Sequence, residues 1–127
     1  MEKSRRRFRW NRLPKPRRCA RLGAALKDLI EAYPEDIRVG VLASGGLSHF
    51  VVDEDLDRGV IDALRRKDMG YLARLDPRRL KAGSSEIRNW IVAAGAAADL
   101  DLAWVAYIPS YRTPALTGIG LGFATWG

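Results

Sequence analysis

The sequence predicts an α/β fold, a mixed sheet flanked by helices, and three observations carry that expectation. Apolar runs at residues 37–43, 100–108 and 117–126 are short and rich in β-branched or small apolar residues, as strands packed in a core are. Stretches of helical periodicity alternate with them, at residues 18–33, at residues 53–67 and again beyond Ser84. The chain has 127 residues, of which 47% are hydrophobic, enough for one core and so for one domain or part of one.

The chain begins with a block of positive charge. Nine of the 22 Lys and Arg residues fall within residues 1–18, against one acid, Glu2. That leaves 13 basic and 14 acidic residues for the rest, so the pI of about 10.1 belongs to a tail and the body is close to neutral. Residues 1–13 show neither helical nor strand periodicity and are expected to form a disordered basic tail. Phe8 and Trp10 between arginines suit stacking on bases, but a solvated tail without a partner is the commoner outcome. The neutral body speaks against a larger nucleic-acid surface, so nucleic acid is not the expected partner.

In residues 18–33 Ala20, Leu22, Ala25, Leu26, Leu29 and Ile30 fall mostly on one helical face, and Pro34 stops the helix. Cys19 reads as a structural residue near the packed face. A single cysteine excludes an internal disulfide framework and fits a reducing cytosol, so a cytoplasmic location is expected. No apolar run approaches the length of a membrane span, and the charged start is not followed by the apolar stretch of a secretory signal.

Residues 37–43 then read as a buried strand ended by Gly45-Gly46. His49, the single histidine, comes just past it, where α/β sheets tend to bind ligands. On position alone, a packed and hydrogen-bonded loop histidine is at least as common an outcome. Residues 53–67 read as a helix with acids at its start (Asp53, Glu54, Asp55, Asp57) and bases at its end (Arg65, Arg66, Lys67), an order that complements the helix dipole. The acids lack calcium-loop spacing. Leu56, Val60, Ile61 and Leu64 form its buried stripe. Residues 69–80 are a polar connector with one short helix, broken at Asp76-Pro77.

Ser84 or Ser85 is the expected N-cap of the next helix, in which Ile87, Trp90, Ile91 and Ala94 repeat at helical spacing. Glu86 by itself is a surface carboxylate favoured by the dipole of that first turn. Residues 100–108 read as a buried strand and residues 109–115 as a loop. Residues 117–126 alternate glycine with apolar residues, which suits a strand packed closely on another backbone. The glycines there open no helix and so are not a dinucleotide fingerprint.

Three segments carry a resemblance. Gly45-Gly46-Leu47-Ser48-His49 resembles the G-G-x-S-H segment of the class III extradiol ring-cleavage dioxygenases, the family typified by the catalytic subunit of protocatechuate 4,5-dioxygenase. Ala82-Gly83-Ser84-Ser85-Glu86, followed by Trp90, is similar to the segment that supplies the family's glutamate ligand. Tyr107 through Gly118, with its Tyr-Ile-Pro-Ser-Tyr-Arg-Thr-Pro-Ala pattern, resembles the family's closing segment. The resemblance covers residues 14–127, in the family's order, and implies the C-terminal portion of its catalytic domain.

The resemblance implies a non-haem Fe(II) enzyme that opens catechol-type rings beside their hydroxyls with O2. His49 is then the acid–base residue, Glu86 the carboxylate ligand, and Tyr111, Arg112 and Thr113 border the substrate. Arg112 suits a ring carboxylate, although a surface loop arginine is as common. The family's iron also needs two histidine ligands, and this chain has one histidine in all. Weak or absent iron binding by the chain alone is therefore expected. So is self-association, or pairing with a second polypeptide that completes the domain. The alternatives are a non-catalytic interaction or regulatory subunit of the same fold, and a nucleic-acid binder led by the basic tail.

Overall fold

The computed structural model describes residues 13–127. The basic tail expected over residues 1–13 lies, but for Leu13, outside them. Helix α1 spans Pro16–Glu31. Pro16 opens it, since its fixed φ is pre-set for a helix and its missing N–H needs no partner in the first turn. It packs against helix α4, Ile87–Ala96, through the smallest side chains available. A Cβ built on Gly23 would lie 2.3 Å from the Val92 carbonyl oxygen and 2.8 Å from Gly95 Cα. The expected leucine stripe is not the packed face: Leu22 and Leu29 are 53% and 68% exposed, while Cys19 and Gly23 are buried. Close backbone contact through two glycines sets which side of α1 turns inward.

Residues 37–43 correct the sequence reading most sharply. They form no strand, and Ile37, Val39, Val41 and Leu42 are all exposed. A strand exists only where a neighbour takes its backbone hydrogen bonds, and among the described residues none pairs with this run. His49 accordingly does not follow a strand but begins one, β1, His49–Val51.

Strand β2, Leu102–Tyr111, and strand β3, Thr117–Trp126, form an antiparallel hairpin. Strand β1 pairs with the other edge of β3, so the order is β1-β3-β2 and every pairing is antiparallel. In register, His49 and Ser110 both lie opposite Ile119. One face of this sheet meets the helices through Val105, Tyr107, Ala124 and Trp126. The other carries Trp104, Ile108, Ile119 and Phe123, which are 40–54% exposed. The strand expected to be buried at residues 100–108 is thus buried on one face only. The close-packing role expected for the β3 glycines holds: a Cβ on Gly122 would lie 3.1 Å from the Trp90 ring.

Helix α2, Glu54–Arg66, has Asp53 as its N-cap, accepting from Leu56 N–H, and Lys67 in the left-handed conformation as its C-cap. Its expected stripe of Leu56, Val60, Ile61 and Leu64 is buried. Helix α3, Met69–Ala73, and a 3₁₀ turn at Pro77–Arg79 make the connector. Helices and sheet enclose one core centred on Leu47, Leu56, Val60, Leu72, Ile87 and Ile91. Among the described residues no helix is long and apolar enough to cross a membrane.

The glycine crossing gives a direct test. Gly23→Ala places a methyl against backbone that has no room for it, and is expected to cost about 1–3 kcal/mol in urea denaturation. Gly95→Ala, whose Cβ would meet nothing nearer than 3.0 Å, is expected to cost less.

Candidate active site

The site is built on the turn before β1. Gly45, at φ +130°, adopts a conformation that L side chains rarely take, and a Cβ there would also strike Glu86. Leu47 is fully buried, its N–H bonded to Gly120 O at 2.9 Å. Ser48 is fully buried too, and its N–H and hydroxyl both donate to the Asp57 carboxylate, at 2.8 and 2.6 Å. The Tyr107 hydroxyl donates to the same carboxylate at 2.7 Å. These bonds tie the turn to α2 on one side and to β2 on the other.

His49 follows. Its N–H donates to Ser84 Oγ at 2.9 Å. Ser84 therefore does not cap α4 as the sequence suggested. Residues Ala82–Glu86 form a 3₁₀ turn that leads directly into α4, with no side-chain cap, and its serine is used to hold the histidine. The imidazole lies between two glycines. A Cβ on Gly46 would be 2.7 Å from Nε2, and one on Gly83 would be 2.3 Å from His49 Cβ. Glu86 stands at the open side, with Oε2 accepting from Gly46 N–H at 3.0 Å and lying 3.5 Å from His49 Nε2. The His49 side chain is mostly covered, at 17% exposure, and that of Glu86 is more open, at 42%. The structure therefore brings together the histidine and the carboxylate that the sequence singled out separately.

Tyr111, Arg112 and Thr113 stand at the same end of the sheet but make their polar contacts elsewhere. Tyr111 lies opposite Gly118, one rung beyond the row that joins Ser110, Ile119 and His49. Its hydroxyl donates to Glu54. That bond, together with Arg58, holds the Glu54 carboxyl below its ordinary range. Arg112 N–H bonds to Thr117 O at 2.6 Å, and the Thr113 and Thr117 hydroxyls meet at 2.7 Å, so both residues also stabilise the hairpin turn.

The residues present do not make a self-sufficient metal site. Among the described residues no group of three or more His, Cys, Asp and Glu side chains converges to hold an ion. Glu86 and His49 offer one carboxylate and one imidazole, fewer than the three protein donors of a non-haem Fe(II) facial triad.

Four residues have roles in the site that the sequence does not assign to them: Ser48, Asp57, Ser84 and Gly83. Asp57 was grouped with the acids of the α2 start. It differs from them in one legible way, because it alone of the four falls three, four and seven residues before Val60, Ile61 and Leu64, on the buried stripe. Beside the turn, an open groove of about 650 Å³ is lined by Val39, Val41, Leu100, Trp104, Phe123 and Gly45, among others.

Comparison with known proteins decides the family. The family model described as the catalytic LigB subunit of aromatic ring-opening dioxygenase matches residues 10–122. The chain belongs to this family. A gallate dioxygenase from Pseudomonas putida is 52% identical over 42 residues, which is 33% of this chain and 12% of the relative. The match thus spans a small part of that enzyme's length. Within the LigB match lie the Gly-Gly-Leu-Ser-His turn, Glu86 and the hairpin turn at residues 111–113.

The Tyr107 bond can be tested through pH. Burial, and then the Asp57 carboxylate beside it, push the Tyr107 hydroxyl well above its ordinary range. A group raised on folding stabilises fully below its unfolded value, about 10 for tyrosine, and that contribution is lost as pH rises beyond it. Tyr107→Phe is expected to cost about 1.5–3 kcal/mol at neutral pH, the range for a hydrogen bond to a charged group. Urea denaturation above about pH 10 should show the gap between wild type and variant closing.

Proposed function

We propose that this chain is part of an Fe(II)-dependent extradiol dioxygenase acting on catechol-type aromatic compounds with O2, in the cytoplasm. The observation that carries the reading is the meeting of His49 Nε2 and Glu86 Oε2, 3.5 Å apart, in a chain of the ring-opening dioxygenase family. In this reading His49 is the acid–base residue. Imidazole is the side chain suited to take a proton from a substrate hydroxyl and return it, because its charge changes near neutral pH. Its cradle of Gly46 and Gly83 fixes where the ring nitrogen points. Glu86 is the carboxylate ligand, oriented by the Gly46 N–H. Tyr111, Arg112 and Thr113 border the substrate, and Arg112 suits a ring carboxylate such as that of gallate.

The 127 residues hold one histidine, so in this reading the two imidazole ligands lie outside them. A second polypeptide would supply them and complete the domain. The open sheet face and the unpaired residues 37–43 support such an assembly. They equally favour a second reading, a non-catalytic interaction subunit of the same fold.

Oxygen uptake separates the readings. After anaerobic reconstitution with Fe(II), the chain alone is expected to consume no more oxygen than free iron does, across catechol, protocatechuate and gallate. Residues 14–127 grafted in place of the corresponding part of a LigB-family catalytic subunit are expected to restore uptake and a yellow ring-opened product. His49→Ala in that chimera should lower the rate by about 100-fold or more, the usual weight of a general acid–base group. A folded, iron-retaining chimera that opens no ring overturns the enzymatic reading. In light scattering the purified chain is expected to be a dimer or larger, and a monomer with a cooperative thermal transition would count against the assembly.

A further inference from the structure

We infer that Asp57 is a positioning residue for His49, acting through Ser48. The inference rests on the reading of His49 as the acid–base group. Asp57 is the one fully buried acid among the described residues. No salt bridge among those residues reaches it. Its carboxylate is held by three uncharged donors instead: Ser48 N–H, Ser48 Oγ and Tyr107 OH, at 2.8, 2.6 and 2.7 Å. A buried charge without a cation is costly unless its hydrogen bonds are complete. A residue that only filled this space would be apolar. An amide could keep the bond from Ser48 N–H, but its NH2 would make acceptors of the Ser48 and Tyr107 hydroxyls and leave both O–H groups without the carboxylate.

The effect of these bonds is to fix Ser48 at every polar atom. Its N–H and hydroxyl donate to Asp57, its Oγ accepts from Asp53 N–H at 2.9 Å, and its carbonyl accepts from Gly120 N–H at 2.8 Å. The residue bonded to it is His49. The residue after that, Phe50, sits at φ +66°, in the left-handed region that bulky side chains seldom occupy. A backbone in that conformation persists only when its neighbours over-determine it. Ser48 is the neighbour so fixed on one side, and Val52 N–H bonded to Leu116 O at 2.8 Å anchors the other. Release of Ser48 therefore frees the backbone of His49 first, and with it the distance between Nε2 and Glu86.

The single histidine makes one ring directly readable. Carbethoxylation of the purified chain by diethyl pyrocarbonate, followed on the His49 peptide by mass spectrometry, reports how firmly the imidazole is held in its cradle. Asp57→Asn is expected to raise the rate about fivefold or more, measured well below the melting temperature of each variant. Val60→Ala, on the same helix and equally buried, is expected to lower the melting temperature and leave the rate within about twofold, because it loosens packing but not Ser48. Should Asp57→Asn fail to fold, Ser48→Ala removes only the bridging hydroxyl and is expected to raise the rate about threefold. An unchanged rate in a folded Asp57→Asn or Ser48→Ala protein overturns the inference, as does an equal rise in Val60→Ala. These rates need neither iron nor oxygen, so their failure and the failure of the dioxygenase reading are separate results.

Discussion

The Asp57 carboxylate is the point on which the site depends. It joins three elements, the first turn of α2, the turn before β1 and, from far along the chain, the middle of β2. Backbone pairing alone would leave β1 poorly held, since it is three residues long and lies at the sheet edge. Its place is fixed from behind, by the donors of Ser48 on Asp57, and from the side, by the hydroxyl of Ser84 on His49 N–H. Gly120 makes this possible. A Cβ there would lie 2.0 Å from Asp57 Oδ2, so the strand approaches the carboxylate only because that position lacks a side chain. A buried network of this kind is rigid when every member is satisfied, and no buried side-chain polar atom among the described residues lacks a partner.

The same molecule is unfinished on its other side. The face of the sheet away from the helices carries Trp104, Ile108, Ile119 and Phe123, all substantially exposed. Residues 37–43 run beside it with β-branched side chains and without strand pairing. The helical side shows the opposite economy, with glycines at close crossings and leucines fully buried. One face is thus packed to the tightness of a native core and the other is left in the state of a surface that expects cover. Gly45, the residue against which Glu86 packs, is part of the groove's lining.

How much of this was legible depends on which force decides each element. Helix α2 was read nearly to its ends, because stripe, N-terminal acids and C-terminal bases all agree there. Strand β3 was read with its close packing, because glycines alternating with apolar residues have few other uses. Residues 37–43 were misread because strand propensity says what a segment is fit for, and pairing depends on a neighbour that the propensity cannot see. The leucines of α1 misled for a related reason: a helix turns toward whatever packs on it, and here that is Gly95. For the site, the resemblance selected His49 and Glu86 from positions where composition favoured blander roles, and the geometry places the two side by side. Ser84 was noticed as a cap, the local role, whereas its hydroxyl serves a residue far away in sequence.

The arrangement also shows how the fold sets His49 against Glu86. Nothing that positions His49 involves a metal: its backbone is held by Ser84 and Ser48, and its ring is walled by glycines. Glu86 is likewise held by a backbone N–H and by the start of α4. Carboxylate and imidazole are therefore placed by the hydrogen bonds and packing of the fold. The covered side of Glu86 is filled by Gly45, Gly46 and His49, and its other side is open to solvent. The turn that carries His49 is itself held by the Asp57 network, so the pair rests on hydrogen bonds that the chain itself supplies.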